Sequence, residues 1–469
     1  MDFTGFILAH SYDDTARLLL ERKKYPDIDI DLAVTTIEAR AKIRSKLPEW
    51  YDHPGIIYPT RLSSEQSSSE VTARYKANLF SRLIGENSSP EPHGRPRPCQ
   101  REGPAGYKLF ARQMTQETVG RVEWSEAERK GSGREFSPEG RIADLTGGLG
   151  VDCCGFSAVA GEVLYNEMNP ALSEAAKHNF AELGLKNISV RCHELVPSGT
   201  PLEGNRATIG DILGDFVPDM VFMDPSRRDE RGNKVFLIED CRPDVATLLP
   251  EVFSRCRYLL LKLSPMADIS MVGSRLSNLR QVHVLGASGE CKELLLLLDR
   301  EYSGDYDITI WDSGASFTFS QEMEKVSVPL FSPSGPSVGD LLFEPGKALM
   351  KAAPFSLLSE RFNLEKLDRS THLYICPKTL PEPLRGLGKT YRIREVLPFG
   401  KKYIKELGER FPGADVTAKN LPINSDALKK QLAAAGKNKG KALPSGKSHL
   451  FGLRCGGKGL LLVTEPETI

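Results

Sequence analysis

Three short stretches of this 469-residue chain combine residue types and spacings that suit chemistry. The first is Arg141-Ile-Ala-Asp-Leu-Thr-Gly-Gly-Leu-Gly150, an apolar run ending in a glycine-rich turn. Glycines let a backbone pass close to a ligand and adopt positive φ. The turn feeds a helix expected to begin near Asp152, whose first N–H groups lack partners inside the helix. Such a turn alone reads equally well as a tight structural corner. Two acids weigh against that. Asp144 stands before the glycines, where a phosphate site would avoid a negative charge. S-adenosylmethionine (SAM) has no phosphate, and its ammonium suits a nearby carboxylate. Glu167, in Val163-Leu-Tyr-Asn-Glu-Met168, ends the next apolar run, where an acid accepts both hydroxyls of a ribose. Alone, Glu167 reads as a solvated strand-end charge; with the glycines upstream, the ligand reading is favoured. The expected cofactor-binding set is Asp144, Thr146, Gly147, Gly148, Gly150, Asp152, Glu167 and Met168.

The second stretch is Val221-Phe-Met-Asp-Pro-Ser-Arg-Arg-Asp229, again at the end of an apolar run. It resembles the Asp-Pro-Pro-aromatic motif of methyltransferases that act on exocyclic amino groups of bases. In those enzymes the acid and the first proline's carbonyl hold the amine in line with the methyl group. Acceptors are needed because the amine sheds a proton as it attacks. Asp224 and Pro225 match, while Ser226 replaces the second proline and Arg227 stands where an aromatic would stack. The arginines suit base stacking or phosphate contact. Asp224, Pro225, Ser226 and Arg227 are the expected catalytic residues, with Arg228 on the substrate; a strand-end turn with solvated arginines is the plainer alternative. Methyl transfer needs alignment more than covalent help, and alignment supplies about 7–11 kcal/mol at best.

The third stretch is basic. From Lys419 to Lys458, nine Lys/Arg face one acid, Asp426, and Lys437, Lys439 and Lys441 sit in a glycine-containing loop. Against a net charge of zero (62 basic, 62 acidic), this local excess suits RNA phosphates. A solvated basic loop would look the same.

Elements must position these groups. From residue 141, apolar strand candidates alternate with helical patterns, notably 170–183 and 243–255, which predicts a doubly wound, Rossmann-like parallel sheet covered by helices. The candidates 280–285 and 290–299 are separated only by a short turn and are expected to put an antiparallel strand at the sheet edge. Residues 1–85 read as helical, with a Ser67-x-x-Glu70 capping box before the helix that includes Tyr75 and Lys76. The polar, proline-rich stretch 86–138 reads as an insertion or linker. The expected organisation is therefore a helical region 1–85, the insertion, a catalytic α/β domain 139–302, and two small α+β domains, 303–386 and 387–469.

The nine cysteines include no Cys-x-x-Cys, and the histidines include no His-x-x-x-His, so neither a disulfide framework nor a metal site is expected. Without a basic leader, or an apolar stretch of about 18 residues, a cytoplasmic location off the membrane is expected.

As a set, several segments carry a wider resemblance: Ser68-Ser-Glu-Val-Thr-Ala-Arg-Tyr-Lys76, Asp144 to Asp152, His178-Asn-Phe-Ala-Glu-Leu-Gly-Leu185, Asp224-Pro-Ser-Arg-Arg-Asp229, Cys241-Arg-Pro-Asp244, Lys262-Leu-Ser-Pro-Met266 and Glu290-Cys-Lys-Glu-Leu-Leu295. The chain resembles bacterial class I SAM-dependent methyltransferases with a ferredoxin-like domain and a C-terminal THUMP-like domain. The resemblance implies SAM as cofactor, with Gln66 and Ser69 packing over its methionine end, and RNA as substrate, since THUMP domains in related enzymes bind tRNA. Such enzymes usually pass quickly from the Tyr-Lys helix to the glycine strand, and this chain inserts 86–138 there. Glu194 and Asp211 are both candidates to stand near the adenine. Lys262 either faces the cleft or snorkels. Cys241 is the one cysteine placed for nucleophilic attack on a pyrimidine, a minor alternative. Two other readings stay open: a SAM- and RNA-binding module without catalysis, and a methyltransferase of a protein or small molecule.

Overall fold

The computed structural model describes residues 2–87, 140–226, 241–376, 379–436 and 448–467. Arg227, Arg228, Lys437, Lys439, Lys441 and almost all of the 86–138 insertion lie outside the described residues. The chain divides into two compact units, Met1–Ala267 with Leu296–Tyr302, and Asp268–Leu295 with Ser303–Ile469.

The first unit begins with helices Phe3–Ala9, Thr15–Leu20, Ile30–Ile43, Pro48–Asp52, Arg61–Gln66 and Glu70–Asn87. Asp2, Asp14, Asp29 and Thr60 each accept a backbone N–H at a helix start, the usual role of short polar side chains there. The expected capping box is shifted. Ser67 closes the preceding helix, and the Ser69 hydroxyl, next to the first helical residue, accepts from Thr72 N at 3.2 Å. Ile43, Leu47, Trp50, Tyr58 and Ala73 bury against Leu149 and Val151 of the glycine turn. The helical region is thus packed directly on the segment that carries the candidate site.

The α/β part holds β1 (Arg141–Asp144), β2 (Glu162–Asn166), β3 (Ile188–Arg191), the two-residue β4 (Glu194–Leu195) and β5 (Arg206–Ala207), β6 (Met220–Met223) and β7 (Tyr258–Leu263). The sheet order is β7-β6-β1-β2-β3, all parallel, in register through Ile142↔Val163, Ile142↔Met220 and Val221↔Leu259. Every residue of β6 and β7 is buried, as expected for parallel strands covered on both faces. Between β1 and β6 the strand order reverses, and the carboxyl ends of the strands beside such a point frame a binding crevice.

The second unit opens with the helix Ile269–Arg275 and then β8 (Leu279–Ala287), whose turn at Ser288 and Gly289, both at positive φ, leads to β9 (Glu290–Asp299). β8 is not an edge. β10 (Asp307–Asp312) pairs with it in parallel, and β11 (Ala315–Ser320) pairs antiparallel to β10. The buried run Val282–Gly286 explains this, since an edge would leave it uncovered. A separate seven-stranded sheet follows, from β12 (Leu341–Pro345), β13 (Glu365–Asp368), β14 (Thr371–Cys376), β15 (Gly388–Pro398), β16 (Asp415–Lys419), β17 (His449–Cys455) and β18 (Lys458–Pro466). Its order is β13-β14-β12-β15-β18-β17-β16. The antiparallel β12–β15 register, Leu341↔Arg392 to Pro345↔Gly388, joins the stretches expected as two small domains into one sheet.

Candidate active site

The glycine turn is fixed by contacts that only glycine allows. A Cβ on Gly147 would lie 2.1 Å from the Tyr165 ring, and one on Gly150, at φ +89°, would lie 2.6 Å from Phe180. The Tyr165 hydroxyl donates to Gly148 O at 2.6 Å. Gly148 itself, at φ +54°, faces open space. The turn is therefore pinned beneath and open above.

Glu167 follows β2 and is buried. Its Oε2 accepts from Gly148 N at 2.9 Å and its Oε1 from Asn169 N at 2.8 Å. Burial raises its pKa, with those backbone N–H groups acting in the opposite sense. An ionised carboxylate has about four acceptor positions, and the backbone N–H groups of Gly148, Asn169 and Met168 leave it capacity for a ligand's hydroxyl. Beside it Met168 is 56% exposed, and its carbonyl is anchored by Asn205 Nδ2 at 3.0 Å.

Asp144 departs from its expected role. It is buried, and its oxygens accept from Thr146 N at 3.0 Å and Cys153 Sγ at 3.3 Å. Burial, reinforced by the charge of Asp152, pushes its carboxyl up to about 8. At neutral pH it is a largely protonated clasp inside the turn rather than an open charge for an ammonium.

Asp152, in the first turn of helix Val151–Ser157, likewise spends its oxygens within the chain. Lys76 Nζ donates to Oδ1 at 2.8 Å and Ser68 Oγ to Oδ2 at 2.7 Å. Burial alone would raise the Asp152 pKa, but the charges of Lys76 and Lys262 more than reverse it, and the net shift is downward. Ser68 also accepts from Lys76 Nζ at 2.8 Å and Lys262 Nζ at 3.3 Å, which uses the full capacity of one hydroxyl.

Lys262, on the fully buried strand β7, then reaches Asp224. Its Nζ donates to Oδ2 at 2.5 Å, while Asp224 N donates to Thr146 Oγ1 at 2.6 Å. Asp224 therefore hangs between the glycine turn and a buried lysine. Its side chain is 26% exposed, against 5% for Lys262, 10% for Asp152 and 0% for Lys76. Of these four charges, Asp224 is the one a substrate can reach. Pro225 is buried, and Ser226 is fixed by paired backbone hydrogen bonds with Arg242, at 2.7 and 3.0 Å.

The other expected residues divide. Ser68 brings its segment to the glycine helix, so Gln66 (exposed) and Ser69 lie in the stretch that borders the turn. Asp211 caps its own helix with Thr208, and Glu194 pairs with Arg206 at 3.2 Å. Cys241 is buried. Ser68 and Lys76 are site residues that the sequence pattern does not single out. Lys76 carries a signal all the same, because it lies on the apolar stripe Ala73, Ala77 and Phe80, and a lysine there needs a buried acid.

Comparison with known proteins places this geometry. Residues 341–382 match a ferredoxin-like domain family and residues 388–466 a THUMP domain-like family. The chain resembles SAM-dependent methyltransferases. An uncharacterized S-adenosylmethionine-dependent methyltransferase of Mycobacterium tuberculosis, found in two strains, is 23% identical over 313 residues, covering 63% of this chain and 75% of the relative. A crystal structure from Porphyromonas gingivalis W83, named as a methyltransferase, superposes with a TM-score of 0.72 at 26% identity, covering 99% of this chain and 98% of that one. The mixed α/β architecture is thus shared along nearly the whole chain. No helix among the described residues is long and apolar enough to cross a membrane, and no group of three or more His, Cys, Asp or Glu there is arranged to hold a metal.

Proposed function

We propose that this chain is a SAM-dependent methyltransferase that methylates an amino group of an RNA base. The observation that carries the reading is Asp224, a solvent-reachable carboxylate at the end of β6, tied on one side to the glycine turn and on the other to buried Lys262. The residues fit the cofactor. Glu167 keeps acceptor capacity for ribose hydroxyls, Gly147, Gly148 and Gly150 give the backbone a close approach, Met168 offers an apolar surface to the adenine, and Gln66 and Ser69 border the methionine end. When bound, SAM supplies a methyl group already activated on a sulfonium.

The chain's own residues then do three things. Lys262 fixes the Asp224 carboxylate through Oδ2, leaving Oδ1 to accept an N–H of the substrate amine. The Pro225 carbonyl takes the second N–H. The proton lost as the amine attacks passes toward Oδ1 of Asp224, a general-base role within hydrogen-bond reach. Ser226, held by Arg242, and Arg227 border the target base, with Arg228 and the lysines 437, 439 and 441 on phosphates. The match of residues 388–466 to a THUMP-like family supports RNA over a protein or small molecule.

The test is transfer of labelled methyl groups from SAM to RNA taken from cells lacking the gene. Wild type should transfer and Asp224→Ala should lose at least a hundredfold. A wild type that transfers nothing, or an Asp224→Ala variant that transfers equally, refutes the reading. SAM at a hundredfold excess over its Kd should stabilise both proteins by about 2.7 kcal/mol.

A further inference from the structure

The second unit holds a pocket that the proposed reaction does not use. Its volume is about 550 Å³, within the roughly 300–1,000 Å³ of small-ligand sites. One wall is the stacked pair Phe355 and His372, with ring centroids 3.7 Å apart and planes 22° apart. Burial, helped by the charges of Lys366 and Lys419, pushes His372 down to about 4, so its ring is neutral. Its Nδ1 is buried and has no hydrogen-bond partner among the described residues.

Phe331 also lines the pocket. Lys366 N donates to Leu330 O at 2.8 Å, and Ser332 N donates to Lys366 O at 3.0 Å. These bonds hold Phe331 at the edge of β13 with its side chain 48% exposed. The ring is thus large, apolar, presented to solvent and carried on a backbone that is fixed in place.

Two cations line the pocket as well. Lys366 is buried, with Nζ 3.2 Å from Arg369 O and 5.8 Å from the Phe355 ring centre. Burial lowers its pKa even though Glu324 and Asp368 act the other way. Arg369 is exposed and pairs with no carboxylate among the described residues. The pocket's acid, Glu324, is engaged elsewhere: its oxygens accept from Ser356 N at 2.9 and 3.1 Å and from Leu357 N at 2.8 Å.

We propose that this pocket binds one nucleotide of a single-stranded RNA, with the base on Phe331 and the phosphate between Lys366 and Arg369. A purely apolar ligand would leave the Lys366 and Arg369 charges without an anion. A simple anion would leave the Phe331 ring unused. A nucleotide joins a π-face and an anion in one unit, which is how single strands are held. The inference rests on the RNA reading of the chain and concerns a binding subsite, not the reaction.

The experiment is fluorescence anisotropy of labelled pentauridylate with the full chain. Wild type should bind, and Phe331→Tyr should bind within a factor of three of it. Phe331→Ala should weaken binding about ten- to a hundredfold, the range of one lost base stack. Arg369→Gln should lower the slope of log affinity against log salt by about 0.7, one single-strand phosphate contact. Stabilisation by SAM should be the same in all four proteins, which shows that each is folded. Failure of wild type to bind, or unchanged binding by both Phe331→Ala and Arg369→Gln, overturns the pocket. Pocket-dependent binding by a wild type that methylates no RNA would instead overturn the proposed reaction and leave the pocket standing.

Discussion

Two carboxylates face the crevice of the first unit, and they are held in different ways. Glu167 rests on backbone N–H groups of Gly148 and Asn169. Asp224 rests on a side-chain ammonium, Lys262, itself linked through Ser68 to Lys76 and Asp152. A carboxylate held by backbone keeps its place as long as the turn does. One held by a buried lysine depends on a chain of charges in which each member needs its partner. The cofactor side should therefore break through sterics at the glycines, and the acceptor side through unbalanced charge.

The largest expected effect tests that charge chain. Lys76→Met removes an ammonium that is 0% exposed and leaves Asp152 buried without it. Breaking a buried pair in this way costs about 3–5 kcal/mol, read as a lower midpoint in urea unfolding. Lys76→Met combined with Asp152→Leu should recover most of the loss, because the buried charge is then gone as well. A single variant as stable as wild type would mean that the network is not an energetic unit.

Next comes a pH effect inside the turn. The Asp144 carboxyl is raised from 3.8 to about 8 by burial first and Asp152 second. Its folded-state pKa lies above its unfolded value, so the folded state binds the extra proton. That contribution is fully present below pH 3.8 and is lost as pH rises through about 8, so stability falls across the window. The expected outcome is that Asp144→Asn, which keeps the shape without the proton, is less sensitive to pH by a few kcal/mol between these limits, since each tenfold difference in proton affinity is worth about 1.4 kcal/mol. Denaturant unfolding of both proteins at several pH values checks it, and parallel curves would refute it.

A smaller effect is expected on the cofactor side. Gly147→Ala places a methyl 2.1 Å from the Tyr165 ring, and overpacking of this kind costs about 1–3 kcal/mol. The strain falls on the turn that positions Gly148, so SAM-induced stabilisation should shrink more than global stability. Gly400→Ala is the control for an added methyl alone, since its backbone is extended and a Cβ there meets nothing within 4 Å.

What the sequence discloses follows the same division. The glycine turn, Glu167 and Asp224 are legible because each ends a buried strand in a local pattern, and the order of strands makes them neighbours. The β6 and β7 runs are legible because both faces are covered. Asp144 reads as an open charge because sequence carries no information about burial, which raises its pKa. Ser68 and Lys76 stay hidden because their partners are distant in the chain: Asp152 is 76 positions from Lys76 and 84 from Ser68. The place of β8 is misleading in the sequence because its covering strand, β10, lies beyond an apparent domain boundary.

The finest test of the contrast is Glu167→Gln beside Asp224→Asn. In Glu167→Gln the new amide nitrogen must face one of two backbone N–H groups, so one hydrogen bond is lost, along with a charged acceptor for ribose. A neutral hydrogen bond is worth about 0.5–1.5 kcal/mol and one to a charged group about 1.5–3. SAM affinity should therefore fall about tenfold, while kcat at saturating SAM stays within a factor of three. Asp224→Asn should show the reverse, with SAM affinity kept and kcat lost, because among the described residues its carboxylate bonds Lys262 and is otherwise left to the substrate amine. If both variants raise the KM for SAM alike, the two carboxylates share one role. If Glu167→Gln lowers kcat and leaves SAM affinity alone, the assignment of the cofactor side is wrong, whatever Asp224 does.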